Sequence, residues 1–101
     1  PPAAEPAPVV EPSPVNDDRQ RIQPGDNVLL IIEDDPNFAS IVQDFARDKQ
    51  YKTLVALRGD DGLNDARAYR PTAIILDMNL PGIDGWSLLK LLKADETLRD
   101  V

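Results

Sequence analysis

An unbroken apolar run, Val28-Leu29-Leu30-Ile31-Ile32, is the strongest pattern in this chain. Lacking polar alternation, it predicts a strand covered on both faces, as in the middle of a parallel sheet. The run stops at three acids, Glu33-Asp34-Asp35. Asp35 before Pro36 reads as a helix cap followed by a first-turn proline. Phe38, Ile41, Val42 and Phe45 then recur at i, i+3, i+4 and i+7, predicting an amphipathic helix that buries those four residues and ends near Gln50. Lys52 to Ala56 reads as a second strand. Gly59-Asp60-Asp61 reads as a turn and cap, and Leu63, Ala66 and Tyr69 as the inner side of a second helix, closed by Pro71. Ala73-Ile74-Ile75-Leu76 is a second buried run and ends at Asp77. Asn79, Pro81 and Gly82 mark a loop, and Asp84 caps a third helix carrying Leu88, Leu89 and Leu92. The order βαβαβα predicts an α/β fold, a parallel sheet with right-handed crossovers.

Composition divides the chain near Asn27. Seven of the ten prolines fall in residues 1–24, and all five aromatics lie beyond residue 27. Residues 1–26 therefore read as a proline-rich, disordered linker, and residues 27–101 as the folded part. The early prolines are never three apart, so a P-x-x-P docking peptide is excluded. There is no cysteine and no histidine, which removes disulfides, thiol chemistry and any histidine-based triad or zinc site from this chain. With 18 acids against 11 bases the net charge is -7, which disfavours nucleic acid or an anionic membrane as a partner of this segment. No apolar run approaches a membrane span, and the expected location is cytoplasmic, with any membrane anchor elsewhere in a parent protein. The start at Pro1-Pro2 and the stop at Val101, straight after a helical pattern, read as excision boundaries.

The candidate chemistry lies at the strand ends. Glu33 and Asp34 follow the first strand and Asp77 the third, and in an open parallel sheet that edge is where ligands bind. If these strands are neighbours, three carboxylates converge. Two unit charges about 4 Å apart repel by roughly 4 kcal/mol at an effective dielectric near 20, so such a cluster calls for a cation. Oxygen-only ligands favour magnesium, or manganese, over zinc or copper. A carboxylate beside such a metal is a competent nucleophile for phosphoryl transfer. Each acid could instead simply complement a helix end, and Asp35 is read that way. The calcium-loop reading of Asp77-Met78-Asn79 fails, since Pro81 and Leu88 stand where that loop needs oxygen ligands. Trp86 and the leucines after it read as core, and Tyr69 as a half-buried cover.

Taken together, IIEDDP at 31–36 and IILDMNLPGIDG at 74–85, with Asp77 43 residues after Asp34, resemble the receiver domain of bacterial two-component response regulators. The resemblance covers residues 28–101. It implies a flavodoxin-like, doubly wound parallel sheet of strand order 2-1-3-4-5, of which only the first βαβαβα portion lies in this chain. It also implies that Asp77 is the phosphoacceptor, that Asp34 ligates the metal directly, and that Glu33 acts on it through water. Asn79 corresponds to the residue whose main-chain carbonyl ligates the metal, and Pro81 and Gly85 to the turn that shapes the following loop. The implied phosphodonor is a phosphohistidine on a histidine kinase or a histidine phosphotransfer domain. The linker and the wording of both motifs resemble a receiver attached to a hybrid histidine kinase more than a free-standing regulator. This chain itself is not expected to be a kinase, since it lacks a nucleotide-binding loop.

Complete receivers continue with a fourth strand ending in Ser or Thr and a fifth ending in Lys, and neither is in this chain. The third strand is thus expected to be an exposed apolar edge, and the first helix to lose part of its cover. The isolated chain is expected to be less stable than a complete receiver and prone to association. Two other function classes stay open: a non-phosphorylated pseudo-receiver acting as an interaction module, and a magnesium-dependent phosphohydrolase of the haloacid-dehalogenase type. The latter wants a second acid where this chain has Asn79.

Overall fold

A computed structural model describes residues 17–80 and 83–101. Three strands, β1 (Val28–Ile32), β2 (Lys52–Ala56) and β3 (Ala73–Leu76), alternate with three helices, α1 (Pro36–Asp48), α2 (Gly59–Tyr69) and α3 (Gly85–Ala94). All strand pairs are parallel, in the order β2-β1-β3. The apolar run forms the central strand and is buried throughout.

Alternate residues of β1 serve two cores. Leu30 and Ile32 pack with Leu54, Ala66, Leu88, Leu92 and Leu98 under α2 and α3. Leu29 and Ile31 pack with Val55, Ala39 and Ala46 under α1. Helices on both faces make the sheet doubly wound, which is the flavodoxin-like arrangement in its βαβαβα portion. Among the described residues, no helix is long and apolar enough to cross a membrane.

Two expectations about burial are corrected. The inner face of α1 is Ala39, Gln43 and Ala46, with Val42 half-buried, while Phe38, Ile41 and Phe45 are exposed, Phe45 by 70%. Small side chains let the helix lie close to the sheet, and the buried Gln43 amide donates to Thr53 Oγ1 at 2.9 Å. Trp86 is likewise exposed, by 67%, because it sits two residues before the buried Leu88 and therefore roughly 200° around α3 from it. β3, the second apolar run, is the exposed edge that was expected: its residues are only partly covered and Ile75 is exposed.

The expected linker ran to residue 26. Residues 1–16 lie outside the described residues, but 17–26 are fastened to β2, with Asp18 N–H donating to the Thr53 carbonyl at 2.8 Å. The physical reason is that β2 is an edge strand with unsatisfied backbone groups, which the acids at 17 and 18 can reach.

Candidate functional site

The pairing of Ile32 with Leu76 brings the ends of β1 and β3 level, so the residues that follow them meet. Asp77 N–H continues the ladder to the Ile32 carbonyl at 2.9 Å, and Glu33 N–H reaches the Ala56 carbonyl at 3.0 Å. Glu33, Asp34 and Asp77 each offer a carboxylate oxygen within 4.8 Å of the others. Asp34 is exposed, whereas Glu33 and Asp77 are partly covered. The site is a shallow acidic notch at the carboxyl edge of the sheet.

Local hydrogen bonds orient the acids. One oxygen of Asp77 accepts from the N–H of Asn79 at 3.0 Å. Glu33 Oε1 accepts from the N–H of Asp35 at 3.3 Å. Asp35 turns away from the cluster and caps α1, accepting from Asn37 N–H at 2.9 Å. The Glu33 carboxyl is pushed above its ordinary value, first by burial and then by the Asp77 carboxylate beside it.

The loop after Asp77 is held by its far end. Asp84 caps α3 by accepting from Ser87 N–H at 2.9 Å, and Gly85 N–H donates back to the Met78 carbonyl at 3.2 Å. A β-carbon on Gly85 would stand 2.4 Å from Met78 Cα, so only glycine permits this approach. Of the residues singled out in the sequence, Glu33, Asp34 and Asp77 are brought together. Asn79 is exposed beside them, Gly85 braces the loop, and Pro81 lies outside the described residues.

Such an arrangement suits a hard divalent cation. All its side-chain donors are oxygens, three like charges face one another, and neither thiolate nor imidazole is present in the chain. Glu33, Asp34 and Asp77 are the side chains that could hold it.

The sequence model of the response regulator receiver domain matches residues 29–100. Among curated proteins, the DNA-binding response regulator MtrA of Mycolicibacterium smegmatis is 33% identical over 67 residues, covering 66% of this chain and 29% of that protein. The polar-differentiation response regulator DivK of Brucella anthropi is 32% identical over 73 residues, covering 72% of this chain and 59% of that protein. Among solved structures, the receiver domain of a sensor histidine kinase from Pseudomonas aeruginosa PAO1, with a magnesium ion coordinated in its active site cleft, superposes with a TM-score of 0.70 at 27% identity. That match covers 74% of this chain and 62% of the other. The chain thus spans less than two thirds of the length of each of these proteins. With the parallel β2-β1-β3 sheet and the acids at its carboxyl edge, these likenesses establish that the chain belongs to the response regulator receiver domain family of two-component signalling.

Proposed function

We propose that Asp77 accepts a phosphoryl group from a phosphohistidine on a partner histidine kinase or phosphotransfer domain, in a reaction that depends on magnesium. The observation that carries this reading is the convergence of the Glu33, Asp34 and Asp77 carboxylates within 4.8 Å at the ends of adjacent parallel strands. In the transfer, a carboxylate oxygen of Asp77 forms the new bond to phosphorus, the phosphorus–nitrogen bond breaks, and the released imidazole takes up a proton. The Asn79 N–H fixes the orientation of the Asp77 carboxylate. Glu33 and Asp34, with the main-chain carbonyl of Asn79, are the remaining groups assigned to the cation. When bound, magnesium or manganese supplies positive charge against which the phosphoryl oxygens approach a site that is otherwise acidic.

The parent is inferred to be a multidomain protein, with a hybrid histidine kinase favoured. Two observations support that context: the proline-rich stretch ahead of the domain, and the likeness to a sensor kinase receiver. A pseudo-receiver is disfavoured because the acidic set is intact.

The test is incubation of the chain with a small phosphodonor such as phosphoramidate, with and without magnesium, followed by intact mass. The expected result is a gain of one phosphoryl group that is removed by hydroxylamine, requires magnesium and is absent from Asp77→Asn. Label that persists in Asp77→Asn, or no label with magnesium present, overturns the proposal.

A further inference from the structure

The family match begins at residue 29, yet the ten residues from 17 to 26 make an organised set of contacts with the outer edge of β2. That edge exposes the backbone groups of Thr53 and Val55, since Lys52 and Ala56 turn theirs toward Asn27 and Glu33 on the β1 side. All four groups are engaged. Thr53 N–H donates to Asp18 Oδ2 at 2.8 Å, and the Thr53 carbonyl accepts from Asp18 N–H at 2.8 Å. Val55 N–H donates to Asp17 Oδ2 at 3.0 Å, and the Val55 carbonyl accepts from Arg19 Nη2 at 3.3 Å.

These contacts are not those of a fourth strand. Only the Asp18 N–H is a main-chain partner; side-chain carboxylates and a guanidinium take the other three places, so the segment satisfies the edge without forming a regular ladder. It runs antiparallel to β2: Asp17 meets Val55, Asp18 meets Thr53, and the Arg21 carbonyl accepts from Lys52 Nζ at 3.1 Å. Lys52 Nζ also pairs with Asp26 at 2.8 Å, just before the chain enters β1.

Both flanking helices are tied to the same segment. Asp18 pairs with Arg47 of α1 at 3.1 Å and also with Arg21, and its carboxylate accepts from Thr53 Oγ1 at 3.0 Å. Arg19 bridges Asp17 at 2.8 Å and Asp65 of α2 at 3.2 Å, with its guanidinium 5.9 Å from the Tyr69 ring centroid. A solvated tail would leave these charges in water. Here Asp18 is only 4% exposed.

We propose that residues 17–26 are a strap belonging to the domain: they occupy the free edge of β2, prevent another strand from adding there, and clamp α1 and α2 to the sheet. The sheet then has one closed edge and one open edge, β3, where Ile75 is exposed. This inference is independent of phosphoryl transfer.

Amide hydrogen exchange of the full chain tests it. In β2, the Thr53 and Val55 amides are expected to exchange as slowly as that of Leu54, which is covered by β1. The double variant Asp17→Ala/Asp18→Ala is expected to speed Thr53 and Val55 by tenfold or more, on the order of a local opening, without the same change at Leu54. Thr53 and Val55 amides that exchange at unstructured-peptide rates in the unmodified chain overturn the strap, as does a double variant that leaves them protected. If the double variant loses protection throughout, the single variant Asp17→Ala, which removes the acceptor of Val55 N–H, decides: selective acceleration of Val55 supports the strap, and none overturns it.

Discussion

A β-carbon placed on Gly85 would lie 2.9 Å from the carbonyl oxygen of Asp77 as well as 2.4 Å from Met78 Cα. Both neighbours are backbone and cannot swing aside. Replacing a helical glycine with alanine ordinarily stabilises by roughly 0.5–1 kcal/mol, but forcing a methyl into a packed contact costs about 1–3 kcal/mol. The clash wins, so Gly85→Ala is predicted to lower the urea midpoint. It should also slow phosphoryl uptake, since the atoms displaced carry Asp77. An unchanged or raised midpoint would show that the loop yields freely.

The acidic notch makes an opposite prediction about stability. Glu33, Asp34 and Asp77 repel one another, and Asp34 is the most exposed of the three, so it gives up little packing when changed. Asp34→Asn is predicted to raise metal-free stability by on the order of 1 kcal/mol, as expected for removing one like charge near a protein surface. Magnesium at ten times its dissociation constant should add about 1.4 kcal/mol to the unmodified chain, by mass action. The variant should gain clearly less. Thermal melts with and without magnesium read both effects, and an equal magnesium response in the two proteins would remove Asp34 from the cation site.

These two sites differ in how plainly the sequence shows them. The acidic set was legible because Val28–Ile32 is so uniformly apolar that its end, and the acids after it, cannot be misplaced; the shorter run before Asp77 supplies the second strand. The inner face of α1 was not legible, because counting large apolar residues selects Phe38, Ile41 and Phe45, whereas close approach to the sheet selects Ala39 and Ala46 and a hydrogen-bonding Gln43. The contacts of residues 17–26, ahead of the boundary placed at residue 26, are hidden for a similar reason. Proline content sets that boundary, yet the change that matters comes earlier, where Asp17-Asp18-Arg19 supplies the acceptors and donors that an edge strand lacks. Edge strands need such groups; the implied strand order puts the second strand at an edge, but it does not say that a segment ahead of the first strand reaches it.

Burial predicts a sharp contrast between two large apolar residues. Leu88 is fully enclosed under α3, and Leu88→Ala is predicted to cost about 2–5 kcal/mol, the range for deleting a packed leucine. Phe45 stands 70% exposed on α1, and Phe45→Ala should stay within roughly 0.5 kcal/mol of the unmodified chain, as surface changes do. Denaturant titrations of the two variants compare them directly. A Phe45→Ala cost matching that of Leu88→Ala would mean that the outer face of α1 is covered in solution.

Acid should release the strap through Asp18. Burial opposes ionisation there, but hydrogen bonds from Thr53, Arg47 and Arg21 outweigh it together and hold the carboxyl far below its ordinary value. A depressed folded-state pKa means that the unfolded chain takes up the proton first as pH falls. The stabilisation is therefore complete above the unfolded value of about 3.9 and declines below it. Neighbouring Asp65 works in the other direction, since its burial raises its carboxyl in spite of Arg19. The comparison is accordingly made within one pair, the unmodified chain and Asp18→Ala, so that Asp65 contributes to both. Removing one member of a buried ion pair costs about 3–5 kcal/mol, and a loss near the lower end of that range is predicted at pH 7 because Arg21 and Arg47 reach solvent. The gap between the two melting temperatures should be constant from pH 7 to pH 5 and narrow progressively below about pH 4. A gap that is already closing near pH 6, or that persists unchanged to pH 2, would assign the stabilisation to something other than the Asp18 carboxylate.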